Sequence, residues 1–267
     1  MPKDRRLTIL GAGIVGVCCA LEAIDAGFDV TVIDRLPPGE ATSHGIAGVI
    51  SPWSVVPQAM PGVWKSLPKW FLDPAGPVKV RWPDLPQILP WVRSFFRHAT
   101  EAEATRVSDA MAWLMADNIQ IYARHLKGTG AEHLIRPSHL LTVQRGGAKP
   151  GLTDLASHLR LRHDADLQVL TRGEIQEIEP AVSTDYSYAV MIRNQSRTTD
   201  PGRLCKALAN KAARLGATFL RHEITAMTPR EDGSFILHHA GGEHSAPRVL
   251  ICAGAWSTKL LKPLGIR

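Results

Sequence analysis

The chain opens on a short apolar run, Leu7-Thr8-Ile9-Leu10, followed at once by Gly11-Ala12-Gly13-Ile14-Val15-Gly16. The run has little polar alternation, which predicts a strand buried on both faces. A helical pattern then extends to Gly27. After it, Asp29-Val30-Thr31-Val32-Ile33 predicts a second strand ending at Asp34. These pieces form one βαβ unit, with glycines at its first turn and an acid at the tip of its second strand. Farther along, Leu85, Ile88, Leu89, Val92, Phe95 and Phe96 share one face of a predicted helix over 85–98. Thr100-x-x-Glu103 is a capping box that opens a long helix, and Gly128 closes it. Alternation predicts strands at 139–144, 167–170 and 186–192, with helices at 153–163 and from Thr171 to Pro180. Asp200-Pro201 places an N-cap before a proline at the first helical position, and that helix runs to Leu215. Strands are predicted at 218–221, 223–228, 235–239 and 248–252.

This order predicts an α/β fold in which the first βαβ unit is completed by strands roughly 200 residues later. The nucleotide-type domain is therefore discontinuous. The expected parts are 1–57, an inserted α+β segment at 58–195, a continuation at 196–260, and 261–267 as the start of a further portion. Residues 52–98 differ in character from the rest. They hold nine of the 19 prolines and five of the seven tryptophans, so long regular elements are disfavoured there and an aromatic-anchored excursion is expected.

Lys3, Arg5 and Arg6 ahead of the apolar stretch 7–24 imitate a secretory signal. Glu22 and Asp25 interrupt or flank that stretch, and no small-residue cleavage site ends it convincingly. The stretch is also too glycine-rich and short for a membrane span, so a cytoplasmic location is expected. The cysteines, Cys18, Cys19, Cys205 and Cys252, have no CxxC or metal spacing, which predicts reduced thiols and no metal site. A net charge of +6 suits anionic ligands or an anionic membrane surface. No nucleic-acid-binding module is visible. The aromatic, basic helix at 85–98 fits either peripheral contact with the inner membrane or packing on its own domain.

The glycines carry the first chemistry. Gly11 allows the tight turn, Gly13 lets a pyrophosphate approach the backbone, and Gly16 lets helix and strand pack closely. Ile14 and Val15 begin the helix, whose free N–H groups favour phosphate. Asp34 lies 23 residues after Gly11, near the usual spacing of about 20, where a carboxylate accepts ribose hydroxyls. It would repel a 2′-phosphate. The pattern points to a dinucleotide and leaves NAD and FAD both open.

Four further stretches narrow this. They are Val30-Thr31-Val32-Ile33-Asp34-Arg35; Glu40-Ala41-Thr42-Ser43 with Ala47-Gly48 and Ser51-Pro52; residues 57–77 with Lys69-Trp70-Phe71-Leu72-Asp73-Pro74; and Ala253-Gly254-Ala255-Trp256-Ser257 with Leu260-Leu261-Lys262-Pro263-Leu264-Gly265. On these the chain resembles the FAD-dependent amino-acid oxidoreductases of the D-amino acid oxidase superfamily, in particular the bacterial D-amino acid dehydrogenase small-subunit type. The resemblance implies a Rossmann-like FAD-binding domain with an inserted substrate domain. It implies that Gly11, Gly13, Gly16 and Asp34 hold the ADP half of FAD, that Arg35 flanks the adenosine, and that Thr42 and Ser43 bond the pyrophosphate or ribityl chain. It places Ala47 and Gly48 beside the flavin, the Ile224 backbone at adenine, and Ala253, Gly254 and Trp256 near the pyrophosphate. The implied reaction is hydride transfer from the α-carbon of a D-amino acid or imino acid to the flavin, passed on to oxygen or to a membrane quinone.

Two departures from the family pattern stand out. His44 and Ile46 occupy positions where relatives commonly have an aromatic residue and Asn. The sequence also stops at Leu264-Gly265-Ile266-Arg267, where relatives continue into further strands, a glycine-rich segment and a carboxylate-gripping arginine. The chain is thus expected to be a C-terminally incomplete member, and no catalytic residue is assigned. Arg193 and Arg197 read as solvated surface. An NAD-dependent dehydrogenase, an inactive remnant, and one half of a split enzyme with a complementary chain are the alternative readings.

Overall fold

The computed structural model describes residues 4–66 and 81–266. Lys69-Trp70-Phe71-Leu72-Asp73-Pro74 therefore lies outside the described residues. In chain order the elements are β1 (Arg6–Leu10), α1 (Ile14–Asp25), β2 (Asp29–Asp34), β3 (Val49–Ile50), α2 (Leu85–Arg97), α3 (Glu101–Met115), α4 (Asn118–Leu126), β4 (Ile135–Arg145), α5 (Leu155–Leu161), β5 (Leu167–Thr171), α6 (Arg172–Ile178), β6 (Tyr186–Thr198), α7 (Pro201–Arg214), β7 (Thr218–Arg221), β8 (Ala226–Pro229), β9 (Phe235–His239), β10 (Gly242–Ala246), β11 (Val249–Ile251) and α8 (Ser257–Leu261). They form two compact units. The first comprises Met1–Val49, Gln120–Arg136 and Arg197–Arg267, and the second Ile50–Ile119 and Pro137–Ser196.

The first unit is built on a parallel sheet of order β11-β1-β2-β7. Its central strands β1 and β2 are mostly apolar in their middles, interrupted by Thr8 and Thr31, because both faces are covered. Ile9 and Val32 point into a core shared with Val17, Leu21, Leu204 and Leu208 of α1 and α7. Leu10 and Ile33, one residue on, point the other way, toward Met227, Leu237 and Ala246 of an antiparallel sheet of order β10-β9-β8. Side chains alternate along a strand, so one four-residue run serves both layers. The turn after β1 depends on glycine. Gly11 has φ +115°, and a Cβ there would lie 2.3 Å from the Cys252 carbonyl oxygen. A Cβ on Gly16 would lie 1.9 Å from the carbonyl oxygen of Gly11, so helix and strand could not close.

Residues 120–136 lie within the expected insertion, yet they cluster with the first unit. Tyr122, Leu126, Leu134 and Ile135 pack into the α1–α7 core. Lys211 Nζ donates to the carbonyls of His125 at 2.8 Å and Lys127 at 3.0 Å, closing the C-terminus of α4. The long helix expected from Thr100 to Gly128 is accordingly two helices, broken at Ala116 and Asp117. Asp117-Asn118 are poor helix formers that favour turns, and the Asn118 amide donates to the Ser51 carbonyl at 2.9 Å.

In the second unit, β6 lies between β3 and β4 and also pairs with β5. Leu170, Ile175, Ala189 and Met191 form its buried apolar cluster. The strand expected at 186–192 continues to Thr198, past Asn194 at φ +56°, a left-handed conformation that Asn tolerates. A polar knot holds the entry to this unit. Trp53 Nε1 donates to the His163 carbonyl at 3.2 Å, while Asp109 accepts from Arg162 Nε at 3.0 Å and faces His163 Nε2 at 3.1 Å. In α2, Ile88, Val92, Phe95 and Phe96 are half-buried, whereas Leu89 and Trp91 are exposed. Among the described residues no helix is long and apolar enough to cross a membrane.

Candidate functional site

A cavity of about 550 Å³ opens in the first unit at the C-terminal ends of β1 and β2, a size usual for small-ligand sites. Its walls come from four places: the β1–α1 turn, the loop after β2, the segment after β7, and the segment after β11. Parallel strands all end on the same side, so loops distant in sequence converge there. Of the residues expected at a cofactor, Gly11, Gly13, Ile14, Val15, Asp34, Arg35, Thr42, Ser43, Ile224, Ala253, Gly254 and Trp256 line this cavity. Gly16, Ala47 and Gly48 are not in its lining. Gly16 is buried against Gly11, and Gly48, at φ +73°, packs against the Thr198 carbonyl.

The start of α1 faces the cavity. Its N-cap is Gly13, which has no side chain to offer. Ser43 supplies the cap from a loop 29 residues away, its hydroxyl accepting the Ile14 N–H at 2.9 Å. That hydroxyl keeps its own proton as a donor. The N–H groups of Val15 and Gly16 belong to the first helical turn and have no partner inside the helix. Asp34 holds the turn as well: Oδ2 accepts the Ala12 N–H at 2.7 Å and Oδ1 the Leu36 N–H at 2.9 Å. Each oxygen retains a further acceptor direction for a ribose hydroxyl. A Cβ on Gly13 would sit 3.0 Å from Ser43 Oγ, filling the space in front of the helix start.

The rim is charged and aromatic. The Arg35 guanidinium lies 5.3 Å from the centre of the Trp256 ring, and its Nη1 is 3.6 Å from Glu223 Oε1. Both partners of that ion pair are well exposed, so it adds little stability. His222, Glu223, Thr225, Cys252 and Lys259 also line the cavity. Sequence reasoning missed them because they belong to no motif. The strand expected at 223–228 begins only at Ala226, and residues 222–225 form cavity wall instead. Burial, followed by the neighbouring Cys19, pushes the Cys252 thiol up to about 12, so this cysteine is no nucleophile at neutral pH.

His44 lies outside the cavity lining. A Cβ on Gly202 would come within 2.7 Å of its Nδ1, and Glu40 is its acidic neighbour at 4.0 Å. Ile46 does line the cavity and is exposed. Arg193 is paired with Asp166 at 3.6 Å.

A family model described as DAO, FAD dependent oxidoreductase, matches residues 6–267. The chain belongs to this family. Among DAO-family relatives, the D-amino-acid oxidase of Bradyrhizobium diazoefficiens is 33% identical over 99% of this chain and 63% of its own length. A D-amino acid dehydrogenase of Rhodopseudomonas palustris is 31% identical over 98% of this chain and 62% of its own. The structure of glycine oxidase from Geobacillus kaustophilus superposes with a TM-score of 0.62, at 20% identity, over 99% of this chain and 60% of that one. The chain thus spans less than two thirds of the length of these proteins. The family's cofactor is FAD. The glycine turn, the helix start and the Asp34 carboxylate fit the ADP half of that cofactor.

Proposed function

We propose that this chain binds FAD through the cavity of its first unit and supplies the cofactor-binding framework of an enzyme that oxidises an amino acid. The observation that carries this reading is the convergence of Gly11, Gly13, Asp34, Ser43 and Ala253-Gly254 on one cavity in a DAO-family chain. Bound FAD supplies the hydride acceptor. The protein's own residues bind and orient it. Asp34 accepts the ribose hydroxyls, the Val15 N–H and the Ser43 hydroxyl face the pyrophosphate, and Thr42 bonds the same region. Arg35 and Trp256 flank the adenosine side. Gly254 leaves open space where any side chain would intrude.

The substrate class is a D-amino acid or an imino acid, a reading supported by relatives named D-amino-acid oxidase and D-amino acid dehydrogenase. A membrane quinone is the proposed electron acceptor. Exposed Leu89 and Trp91, with Arg93 and Arg97 on the same helix, support peripheral contact with an anionic bilayer. Purification tests the core of this reading. The protein carries flavin absorbance or acquires it on adding FAD, and Asp34→Ala weakens FAD binding by at least about tenfold. A chain that stays colourless and takes up NAD instead overturns the reading. A panel of D-amino and imino acids with dye reduction as readout then identifies the substrate.

A further inference from the structure

Beside the adenosine end of the cavity lies a histidine stack that no motif announces. His222 lines the cavity, and its backbone N–H donates to the Asp34 carbonyl at 3.0 Å. Its imidazole stacks on that of His239 in β9, with centroids 4.0 Å apart and planes 22° apart. His239 Nδ1 accepts the Gly241 N–H at 3.2 Å, which leaves the proton of the neutral ring on Nε2. His244 of β10 places Nε2 3.2 Å from Thr8 Oγ1. Burial, then the nearby His239 and His222, then Arg6 hold it below the usual histidine range.

The acids and other cations around these rings have contacts of their own. Asp34 uses both oxygens on backbone N–H groups. Glu223 pairs with Arg35, Glu243 with His238 at 3.2 Å, and Asp4 with Arg6 at 2.7 Å. Arg221 donates to the Arg35 carbonyl at 3.3 Å, and Lys259 lines the cavity itself. Among the described residues, none of the ion pairs includes His222, His239 or His244. Among the described residues the stack therefore has no ion-pair partner.

We propose that His222 is a cofactor-binding residue whose imidazole, held face to face on His239, donates to the adenosine end of FAD, and that binding draws a proton onto the His222–His239 pair. Adenosine offers ring-nitrogen and ribose-oxygen acceptors to such a donor. The pyrophosphate brings negative charge into the same cavity and so favours the cationic pair. One imidazolium over a neutral imidazole is a favourable cation–π arrangement, whereas a second proton meets repulsion. The linkage is thus uptake of up to one proton, and FAD binds more tightly as pH falls through the range where histidines titrate.

This inference rests on the FAD reading, and calorimetry separates the two. FAD is titrated into the protein near about pH 6.5 in two buffers of different ionisation enthalpy, and its affinity is compared between about pH 6 and about pH 8. The expected result is net proton uptake and roughly threefold tighter binding at the lower pH. His222→Gln, which keeps an N–H donor but cannot titrate, abolishes the uptake and flattens the pH profile. His239→Phe keeps a stacked ring and diminishes the uptake, and it carries the test should His222→Gln not fold. FAD binding with equal heats in both buffers, or uptake unchanged in the folded variants, overturns the inference alone. No binding of FAD at all overturns the functional reading, and the inference falls with it.

Discussion

The two units solve the problem of burial differently. In the first, a parallel sheet is covered on both faces, and the main core gathers apolar residues from α1, β1, β2, α7 and the stretch 120–136. The backbone groups that matter there are paired: Asp34 holds two N–H groups, Ser43 one, and Lys211 the carbonyl end of α4. In the second unit the described apolar cluster is small, four fully buried residues around β5, α6 and β6. Among the described residues, Ser108 Oγ, Asn118 Oδ1, Arg160 Nε and Gln195 Oε1 of this unit are buried without a hydrogen-bond partner, while His163 Nε2 here and His125 Nε2 of the first unit each meet only a carboxylate. Burial pushes the Arg160 guanidinium below its usual range. A unit whose backbone is closed by turns and caps tolerates little change at those points. A unit that carries buried polar atoms without partners holds groups whose removal costs little.

The first unit is least tolerant at Gly16. Gly16→Ala drives a Cβ to within 1.9 Å of a backbone carbonyl, and we expect a loss of more than about 3 kcal/mol, read as insoluble expression or a collapsed urea midpoint. Next comes Leu208→Ala, at a fully buried site in the α1–α7 core, with an expected cost of about 3 kcal/mol in urea denaturation. Ser43→Ala removes the remote cap of α1 and costs about 1 kcal/mol; an unchanged midpoint would show that the helix start needs no cap. In the second unit Ser108→Ala goes the other way, neutral or stabilising by up to about 1 kcal/mol. A loss there would mean that Ser108 Oγ has a partner and that the two units differ less in how they satisfy buried polar groups.

The smallest effect is a pH dependence within the first unit. The folded state holds His244 below its ordinary value, so the unfolded chain takes up that proton first as pH falls. Stability from this site is full above the ordinary histidine range and declines as pH drops through about 6.5. His244→Gln flattens that part of the pH–stability curve. A steeper decline in the variant would reverse the sign argued from burial.

The sequence exposed the first unit unusually well because its signals are local. The apolar run, the glycine turn, α1 and Asp34 are contiguous, and the structure pairs Thr8 with Thr31 and Ile9 with Val32 as a βαβ unit requires. Asp200 caps α7 as its position suggests, accepting the Arg203 N–H at 2.8 Å. Thr171 and Glu174 form the expected capping box. β10 was not legible. Gly242-Glu243-His244-Ser245-Ala246 has weak strand preference and becomes a strand by pairing with β9. The break between α3 and α4 was also hidden, because the apolar period runs on through it while the two helices serve different units.

What the sequence by itself determined is the cofactor class and the residues of the βαβ unit that line the cavity. A phosphate-binding turn needs particular backbone freedom at particular spacings, and such needs are written locally. What only the tertiary structure decided is which side chains around the cavity touch one another. Ser43 reaches α1 from another loop, Arg35 lies against Trp256 across more than 200 residues, and His222 stacks on His239 at the end of β9. Those meetings depend on strand order, since parallel strands gather distant loops at one edge of the sheet, and no local pattern encodes them.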